Sequence, residues 1–454
     1  MSNLFRRLGR GRSCGRGPTR STHRAVGPRR WLDPTYAKCS LTALILAILP
    51  ALALAQDNQP APPPPDPSLA ALVDTLAAEA TAQRISRATL ERAFAGLTRD
   101  PEVVALSKAQ PEHERTVGQY VEALVSPARI EAGRARLLEL ADALSAIESV
   151  YGVDRRVVVA VWGIESNYGT SQGDRNVIRS LATLMLEDQR RPEFWKRELL
   201  AALRILEQGD IEPAAMTGSW AGAMGHTQFM PTSYQRLAVD FDGDGRRDIW
   251  RSTVDALAST AKYLKTSGWL TGLPAAIEVV LPPSFDFALT ATGVDLPAAS
   301  WRDRGLTLAN GAPLPAIDGK LRVLLPAGAQ GPAFLVSANF GVILRYNAAV
   351  PYALAVSHLA DRLGGAGPIA APWPAERALS RTEREELQQL LAARGLNVGG
   401  VDGLIGSLTR TAIRSYQKTA GLPEDGHPGL QLLERLRGAG PPPRTAPDRA
   451  PEPR

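Results

Sequence analysis

Cysteine is scarce in this chain of 454 residues, and both of its cysteines, Cys14 and Cys39, stand near the N-terminus. Everything after residue 39 therefore lacks disulfides and a thiol nucleophile. Histidine is also rare, at five residues, and it forms no metal-binding cluster with glutamate. The sequence contains neither a G-x-S-x-G turn nor a glycine-rich phosphate loop before a lysine. These absences leave acid–base chemistry by carboxylates as the main option.

The surplus of positive charge is confined to the N-terminal end. The whole chain has 52 basic and 46 acidic residues, for a formal charge of +6. Residues 1–55 hold ten of the basic residues and one acidic residue, which leaves 42 basic against 45 acidic residues in the rest. A nucleic-acid-binding domain carries its positive charge on the folded part. We therefore expect no nucleic-acid partner.

Residues 1–55 have the pattern of an export signal peptide. An arginine-rich lead precedes the apolar run Leu41–Leu54, which is short for a membrane span, and Ala53-Leu54-Ala55 offers a cleavage site. We expect a periplasmic protein cleaved near Ala55, with an uncleaved membrane anchor as the alternative. The lead is long, so either the true start lies downstream or Arg29-Arg30 belongs to a twin-arginine signal.

The remainder divides into two candidate domains, 68–363 and 376–437, joined by proline- and glycine-rich segments. The larger one has helical apolar spacing, interrupted by short β-prone runs over Ile277–Arg345. The smaller one opens with a capping box, Ser380 with Glu383. We predict a mainly α fold with a small β-rich insertion and a separate small C-terminal domain. The helical stretches are expected over about residues 68–151, 176–208, 253–266 and 351–363. The linkers are 56–67 and 364–375, and the tail 438–454 is expected to be disordered.

The stretch Val157–Gly169, VVVAVWGIESNYG, places a single carboxylate at the end of an apolar segment. Asp154 is a suitable N-cap for this helix, and Gly169 is a suitable stop. A helix that is apolar on every side packs inside a domain. Desolvation there would raise the pKa of the Glu165 carboxyl toward the range of a general acid. The alternative is a glutamate that merely projects into solvent where the helix surfaces.

The segment Gly218–Tyr234, GSWAGAMGHTQFMPTSY, contains no charged residue. Neutral hydrogen-bonding side chains such as Ser219 and Gln228 stand there beside Trp220 and Phe229. Neutral donors and acceptors next to aromatic faces suit a sugar polymer, and an ordinary polar loop is the alternative.

Three aspartates and two glycines after residue 239 follow the pattern of a calcium loop. Asp240, Asp242, Asp244 and Gly245 occupy positions one, three, five and six of an EF-hand, and Asp248 occupies position nine. Position twelve is Arg251 instead of the usual glutamate, so the loop would have to be longer, closed by Asp255. The alternative is an Asp/Gly turn with solvated charges. The candidate metal ligands are Asp240, Asp242, Asp244, Arg246 and Asp255.

Three separated motifs, in this order along the chain, together resemble the family B lytic murein transglycosylases. They are GIESNYG around Glu165, the segment Gly218–Tyr234 and the tripeptide RYN at Arg345–Asn347. The resemblance covers about residues 68–363 and implies a lysozyme-like helical catalytic domain that cleaves the MurNAc–GlcNAc β-1,4 bond of peptidoglycan. Glu165 would be its single acid and base. The product would be a 1,6-anhydromuramoyl end, formed without water.

The same resemblance assigns roles to further residues. Ser219 and Gln228 would bind the glycan near the cleaved bond, while Tyr346 and Asn347 would lie beside Glu165. It also implies an enlarged calcium loop, so a structural Ca²⁺ is expected, and no cofactor is needed for the chemistry. Tyr120, Tyr263 and Tyr352 would line the groove, and the pair Arg190–Arg191 would meet peptide carboxylates or the lactyl group. Phe194 departs from the family, because an aromatic with a hydroxyl is more usual there.

The C-terminal unit has its own signature. Val401–Gly426, VDGLIGSLTRTAIRSYQKTAGLPEDG, resembles the small three-helix peptidoglycan-binding domain. That resemblance implies a targeting role for the unit as a whole, and the expected partner is therefore the glycan strand of peptidoglycan, with no other obligate partner. Two alternatives remain open at this point: a muramidase that cuts the same bond with water, and a wall-binding protein without catalytic activity.

Overall fold

The first part of the described chain is built from short helices, most of them begun by a side chain that caps the first turn. The computed structural model describes residues 66–108, 115–291 and 293–438. Asp66, Ser86, Thr116 and Ser126 each accept a hydrogen bond from a backbone N–H of the turn that follows, which satisfies donors that a helix start leaves free. The helices are α1 (Pro67–Ala82), α2 (Arg87–Phe94), α3 (Pro101–Lys108), α4 (Val117–Leu124), α5 (Pro127–Glu139) and α6 (Ala141–Tyr151).

Helix α7 (Arg155–Ser166) is buried along most of its length. The Asp154 side chain accepts the Arg156 N–H at 2.8 Å, so the predicted N-cap is confirmed. The predicted stop at Gly169 is wrong, because the helix ends at Ser166 and Asn167 caps it in the left-handed conformation. Asn tolerates that conformation better than most residues.

The predicted helical stretch over 176–208 is two helices, α8 (Val177–Glu187) and α9 (Pro192–Gln208). A proline inside a helix removes a hydrogen bond and clashes with the preceding turn, whereas Pro192 fits the first turn of α9. The Asp188 carboxylate holds the break together by accepting hydrogen bonds from the Arg190 and Trp195 side chains at 2.7 and 3.1 Å. Before α8 and after α9, β1 (Arg175–Asn176) pairs with β2 (Thr217–Gly218).

The polar segment 218–234 leads into α10 (Pro231–Leu237), and α11 (Thr253–Thr266) follows the aspartate-rich loop. A five-stranded antiparallel sheet comes next, with strand order β4-β6-β7-β3-β5 and register pairs Ile277–Leu335 and Val323–Leu335. The strands of this sheet are β3 (Ala276–Val280), β4 (Leu296–Pro297), β5 (Thr307–Leu308), β6 (Lys320–Leu324) and β7 (Ala333–Val336), and helix α12 (Ala298–Asp303) lies between β4 and β5 in the chain.

The β-rich stretch is shorter than the predicted Ile277–Arg345, because its last residues form helix α13 (Ala338–Tyr346). Ser337 starts this helix by accepting the Asn339 N–H at 3.1 Å. Asn339 is fully buried, and its side-chain amide donates to the carbonyls of Leu270 and Leu273 at 2.8 and 2.6 Å. Helix α14 (Val350–Leu363) then crosses α7 and completes the larger unit.

Two hydrophobic clusters meet where α7 ends. One surrounds α7, with Val158 and Val161 fully buried against α11, α13 and α14. The other is centred on α8, α9 and the polar segment 218–234. Tyr263 and Tyr346 pack against both clusters, so these two rings join the halves of the larger unit.

The C-terminal unit consists of α15 (Arg381–Ala392), α16 (Ser407–Thr419) and α17 (Leu430–Gly438). The Ser380–Glu383 capping box is present as predicted, and Leu387, Ile413 and Leu433 form a fully buried core. A mainly α fold with a small β-rich insertion and a three-helix C-terminal unit is therefore confirmed.

The segment that joins the two units is fastened to the larger one. The Glu278 carboxylate on β3 accepts the backbone N–H groups of Ala370 and Ala371 at 2.9 and 2.8 Å. On the C-terminal side, the Asp425 carboxylate accepts the Ala329 N–H of the β6–β7 loop at 2.7 Å.

The predicted signal peptide (residues 1–55) lies outside the described residues, as do nearly all of the linker 56–67 and of the tail 438–454. Within the ranges that the structure describes, no helix is both long and apolar enough to cross a membrane.

Two glycines inside helices give a matched test of how tightly α7 is packed. A Cβ at Gly163 would lie 2.6 Å from Cζ of Tyr168, whereas a Cβ at Gly341 in α13 would have nothing within 4 Å. We expect Gly163→Ala to lower the free energy of unfolding by about 1–3 kcal/mol through overpacking. Gly341→Ala should raise it by up to about 1 kcal/mol through helix propensity. Urea unfolding checks both, and equal effects of the two substitutions would contradict this packing.

Candidate active site

Glu165 lies in the last turn of α7, and its carboxylate accepts one hydrogen bond from the side chains that the structure describes. The hydroxyl of Tyr352 on α14 donates to its Oε1 at 2.6 Å. Tyr352 itself is only 2% exposed. The carboxyl is thus held from one side by a buried phenol that crosses from the neighbouring helix.

Burial controls the protonation of this carboxyl. It raises the pKa of Glu165 from 4.5 to about 7, while the hydrogen bond from Tyr352 lowers that pKa by favouring the ionised form. No acidic side chain contributes to the shift among the described residues. A carboxyl that titrates near neutral pH can both give and take a proton.

A cluster of aromatic rings extends from Tyr352 along the site. The Tyr346 and Tyr352 rings are stacked at 6.5 Å between centroids, and Tyr263 lies 4.8 Å from Tyr346. The Tyr346 hydroxyl donates to the Thr227 carbonyl of the polar segment, and the Tyr263 hydroxyl donates to the Arg345 carbonyl at 2.6 Å. Burial and the Glu165 charge raise the pKa of Tyr346 well above 10, so its phenol remains a donor. Tyr346 therefore lies within electrostatic reach of Glu165.

The residues after Glu165 form a compact turn in the left-handed region. Asn167, Tyr168 and Gly169 have φ values of 49°, 59° and 83°. A Cβ at position 169 would lie 2.4 Å from the His226 ring, so only glycine fits there. The Ser166 hydroxyl donates to the His226 carbonyl and accepts the Gly169 N–H at 2.9 Å. The turn is thereby attached to the polar segment 218–234.

His226 and Trp162 connect α7 to the same segment, and sequence reasoning gave them no role. Trp162 Nε1 donates to His226 Nδ1 at 3.0 Å, and both side chains are buried. Burial lowers the pKa of His226, which keeps the ring neutral and able to accept. Trp162 and His226 are 64 positions apart in the chain, so no short sequence spacing indicates that they form a pair.

The polar segment presents Ser219 and Gln228, the two predicted glycan ligands. The Ser219 hydroxyl oxygen accepts the Ala223 N–H at 3.0 Å, which leaves its proton available. The amide nitrogen of Gln228 donates to the carbonyls of Gln172 and Gly225 at 2.8 and 3.0 Å. These bonds fix the Gln228 side chain, and its amide oxygen accepts no hydrogen bond from the described residues.

Tyr120 is also brought close to Glu165. Burial and the Glu165 charge raise the pKa of the Tyr120 phenol, and the Arg115 guanidinium lowers it. Asn347 is exposed, and its side-chain oxygen accepts the Ala349 N–H at 3.2 Å. The structure records no bond between Asn347 and Glu165 among the described residues.

The predicted arginine pair lies at the start of α9. Arg190 bonds the Asp188 carboxylate and the Ser107 carbonyl, the latter at 3.0 Å. The Arg191 guanidinium lies 3.9 Å from the centroid of the Phe194 ring, in the range of a cation–π contact. Phe194 thus holds Arg191 through its ring face instead of through a hydroxyl.

The aspartate loop brings four carboxylates together. One oxygen each of Asp240, Asp242, Asp244 and Asp255 lies within 4.8 Å of the others. Burial and the negative charge of Asp242 raise the pKa of Asp255. Asp248 instead accepts the Trp250 and Arg251 N–H groups at 3.0 and 2.9 Å and is not one of the four. Oxygen donors of this kind fit Ca²⁺.

The pKa of Glu165 leads to a prediction about stability. Because the folded-state pKa of about 7 exceeds the ordinary 4.5, the folded form binds the proton more tightly. The free energy of unfolding therefore falls as pH rises from 4.5 to 7, and this loss of stability is complete above pH 7. We expect Glu165→Gln to be about 3 kcal/mol more stable than the native chain at pH 8 and equally stable at pH 4, as measured by urea unfolding.

Tyr352→Phe is the companion variant for this measurement. It keeps the carboxylate and removes the hydrogen bond that favours ionisation. Its loss of stability should consequently be larger at pH 8 than at pH 4. A Glu165→Gln effect of the same size at both pH values would contradict the raised pKa.

Comparison with known proteins places this site in a family. Residues 68–361 match the family model of the transglycosylase SLT domain, and residues 380–436 match that of a peptidoglycan binding domain. Over 246 residues the chain is 33% identical to membrane-bound lytic murein transglycosylase B of Escherichia coli (strain K12), an alignment that covers 53% of this chain and 65% of that protein. The chain thus spans slightly less than two thirds of this relative's length.

Solved structures agree with this assignment. SltB3 from Pseudomonas aeruginosa, in complex with NAG-anhNAM-pentapeptide, is 51% identical, with a TM-score of 0.79 over 82% of this chain and 100% of that chain. The Escherichia coli lytic transglycosylase Slt35, in complex with calcium, is 28% identical, with a TM-score of 0.55 over 66% of this chain and 93% of that chain. Because the first family model matches more than half of its residues, the chain belongs to the transglycosylase SLT domain family, the lytic transglycosylases, and it carries a peptidoglycan binding domain after the catalytic one.

Proposed function

We propose that this protein cleaves the MurNAc–GlcNAc β-1,4 bond of peptidoglycan without water and leaves 1,6-anhydroMurNAc ends. The observation that supports this function best is the partly buried Glu165, whose carboxyl has its pKa raised by burial to about 7 and accepts a hydrogen bond from Tyr352. Family membership adds weight, since SltB3 was solved with a ligand that contains anhNAM.

In the first step, Glu165 acts as the general acid. Its protonated carboxyl gives the proton to the glycosidic oxygen as the bond to the MurNAc anomeric carbon breaks. The GlcNAc fragment leaves with that proton, and positive charge develops on the sugar ring. The substrate's own N-acetyl group stabilises this charge, so a second carboxylate is not obligatory.

In the second step, the Glu165 carboxylate acts as the base. It takes the proton of the C6 hydroxyl of MurNAc, and that oxygen attacks the anomeric carbon of the same sugar. One C–O bond has broken, one has formed, and Glu165 regains its proton. Tyr352 supports the intermediate stage, because its hydroxyl donates to the carboxylate while the carboxylate is charged.

The groove residues would orient the glycan for this reaction. Ser219 retains a free donor and Gln228 a free acceptor toward neutral sugar hydroxyl and amide groups. The rings of Tyr120, Tyr263 and Tyr346 supply apolar faces, and Asn347 adds an exposed amide. We assign Arg190 and Arg191 to anionic groups of the peptide or lactyl moiety, with Arg191 positioned by Phe194.

The products of digested sacculi test the proposed reaction. We expect anhydromuramoyl ends by mass spectrometry, and a loss of at least about 100-fold in rate for Glu165→Gln, since general acid–base catalysis contributes that much. Phe287→Leu in the insertion is a control that leaves Glu165 and its neighbours in place.

Two results would replace this proposal. Reducing ends that carry an incorporated water would establish a hydrolytic muramidase. Digestion that is unchanged in Glu165→Gln, or absent in the native chain despite wall binding, would establish a non-catalytic wall-binding protein.

A structural Ca²⁺ at Asp240, Asp242, Asp244 and Asp255 is a second part of the proposal. Four carboxylates within 4.8 Å repel one another, and a bound cation would neutralise them and tie the loop to α11. The backbone carbonyl of Arg246, at loop position seven, would complete the set. The calcium complex of Slt35 supports this assignment.

Chelation tests the calcium site directly. We expect a chelator to lower the melting temperature and to release Ca²⁺, because a ligand that binds only the folded state stabilises it. Asp244→Asn should abolish this response with little other effect, since Asp244 is exposed and caps only one backbone N–H, that of Arg246. Asp318→Asn, an exposed acidic residue in the insertion, is the charge-matched control. A melting temperature of the native chain that does not change when the chelator is added would contradict the calcium site.

We also propose how the chain is organised for this task. Residues 68–363 would be the catalytic domain and 376–437 the domain that binds the wall. Residues 1–55 would be an export signal cleaved near Ala55, so that the enzyme works in the periplasm. The expected partner is the peptidoglycan glycan strand.

A further inference from the structure

A cleft of about 370 Å³ lies between the catalytic and C-terminal domains. The start of α4 and the β6–β7 loop form one side, the joining segment around Trp373 forms the floor, and α15, α16 and the turn before α17 form the other side. Both domains and the segment between them therefore contribute to a single cavity.

The cleft is preformed. Trp373 packs so closely on α4 that a Cβ at Gly118 would lie 2.6 Å from its Cγ. The Glu278 and Asp425 bonds to Ala370, Ala371 and Ala329 hold the joining segment and the far domain in place. A ligand that enters consequently meets a shape that is already set, which lowers the entropic cost of binding.

Two arginines, Arg115 and Arg410, contribute positive charge to the cleft. Arg410 donates to the Gly426 carbonyl at 3.3 Å and lies within electrostatic reach of Asp425. Arg115 at the start of α4 and Arg410 on α16 form no ion pair with a carboxylate of the described residues. Other charges are already engaged there: Arg377 pairs with Glu383, and Glu376 accepts from the His427 side chain and the Leu430 N–H.

Apolar surface lies beside these guanidinium groups. Leu404, at the rim, is 70% exposed, and Ile405 and the Trp373 ring also face the cleft. An exposed leucine next to guanidinium groups that form no ion pair with a described carboxylate suits a ligand that combines small apolar side chains with carboxylates. A neutral glycan would offer these two guanidinium groups no carboxylate.

Helix α4 connects the cleft to the site of cleavage. Tyr120 is one turn beyond Thr116, the N-cap that lines the cleft. The negative charge of Glu165 raises the pKa of the Tyr120 phenol, and the positive charge of Arg115 lowers it. Tyr120 therefore lies within electrostatic reach of both groups, and α4 runs from the cleft toward Glu165.

We propose that this cleft binds the peptide stem of peptidoglycan through its carboxylates, with Arg115 and Arg410 as ligands and Trp373 and Leu404 against the small side chains. The inference rests on the proposed function, because it takes the glycan at Glu165 as the carrier of the stem. It makes the C-terminal domain part of the substrate site of the enzyme.

Binding to the full chain carrying Glu165→Gln tests this assignment. The probes are glycan tetrasaccharides that have free-carboxylate stems, amidated stems or no stems. Arg115→Gln with Arg410→Gln should weaken binding of the free-carboxylate probe by about tenfold or more, equivalent to one charge-assisted contact of 1.4 kcal/mol. The amidated and stem-free probes should change by less than about twofold by the same affinity relation.

A double variant of equal charge serves as the control. Lys418→Gln lies on α16 with Arg410 but outside the cleft, and Arg304→Gln is an exposed arginine of the insertion. This pair should bind all three probes as the parent does. Unchanged melting temperatures would show that both double variants are folded.

The results separate the two proposals. If the Arg115/Arg410 variant binds the free-carboxylate probe as the parent does, or loses all three probes equally, the cleft is not a stem site. The proposed function is tested apart from this, by anhydromuramoyl products that the active chain forms from the stem-free probe.

Discussion

The burial of one carboxyl at the end of an apolar helix is the constraint on which the rest of the catalytic unit depends. Burial raises the pKa of Glu165 to about 7, and among the described residues only Tyr352 donates a side-chain hydrogen bond to it. Most of the surroundings serve to keep that environment intact. Helix α14 supplies the phenol, α13 supplies the neighbouring Tyr346, and the polar segment fixes the turn that follows the helix.

The attachment between α7 and the polar segment depends on small residues as much as on polar ones. Gly163 leaves room for the Tyr168 ring, and Gly169 leaves room for His226. Ser166 then uses its hydroxyl twice, as a donor to the His226 carbonyl and as an acceptor from Gly169. In the motif around Glu165, Gly163, Ser166 and Gly169 thus fix the end of the helix that carries the glutamate.

The sequence predicted the mainly α class, the cap at Asp154 and the capping box at Ser380. Local signals carried these predictions, since a cap or an apolar run lies within a few residues. The end of α7 was misplaced and the break before α9 was missed, because Asn167 and Asp188 act through geometry that competes with the helical pattern. The contact of Trp162 with His226 could not be predicted, because it joins distant segments that only the fold brings together.

The bonds from Glu278 to the joining segment have a consequence for how the enzyme would work on the wall. A long flexible tether lets a catalytic domain search a volume around its anchoring point. Here Ala370 and Ala371 are fixed to β3, and Asp425 fixes the far domain to the β6–β7 loop. Once the C-terminal domain holds the wall, the distance from that anchor to Glu165 is set by the protein. The enzyme would then cleave the glycan at a fixed distance from the place where its C-terminal domain binds the wall.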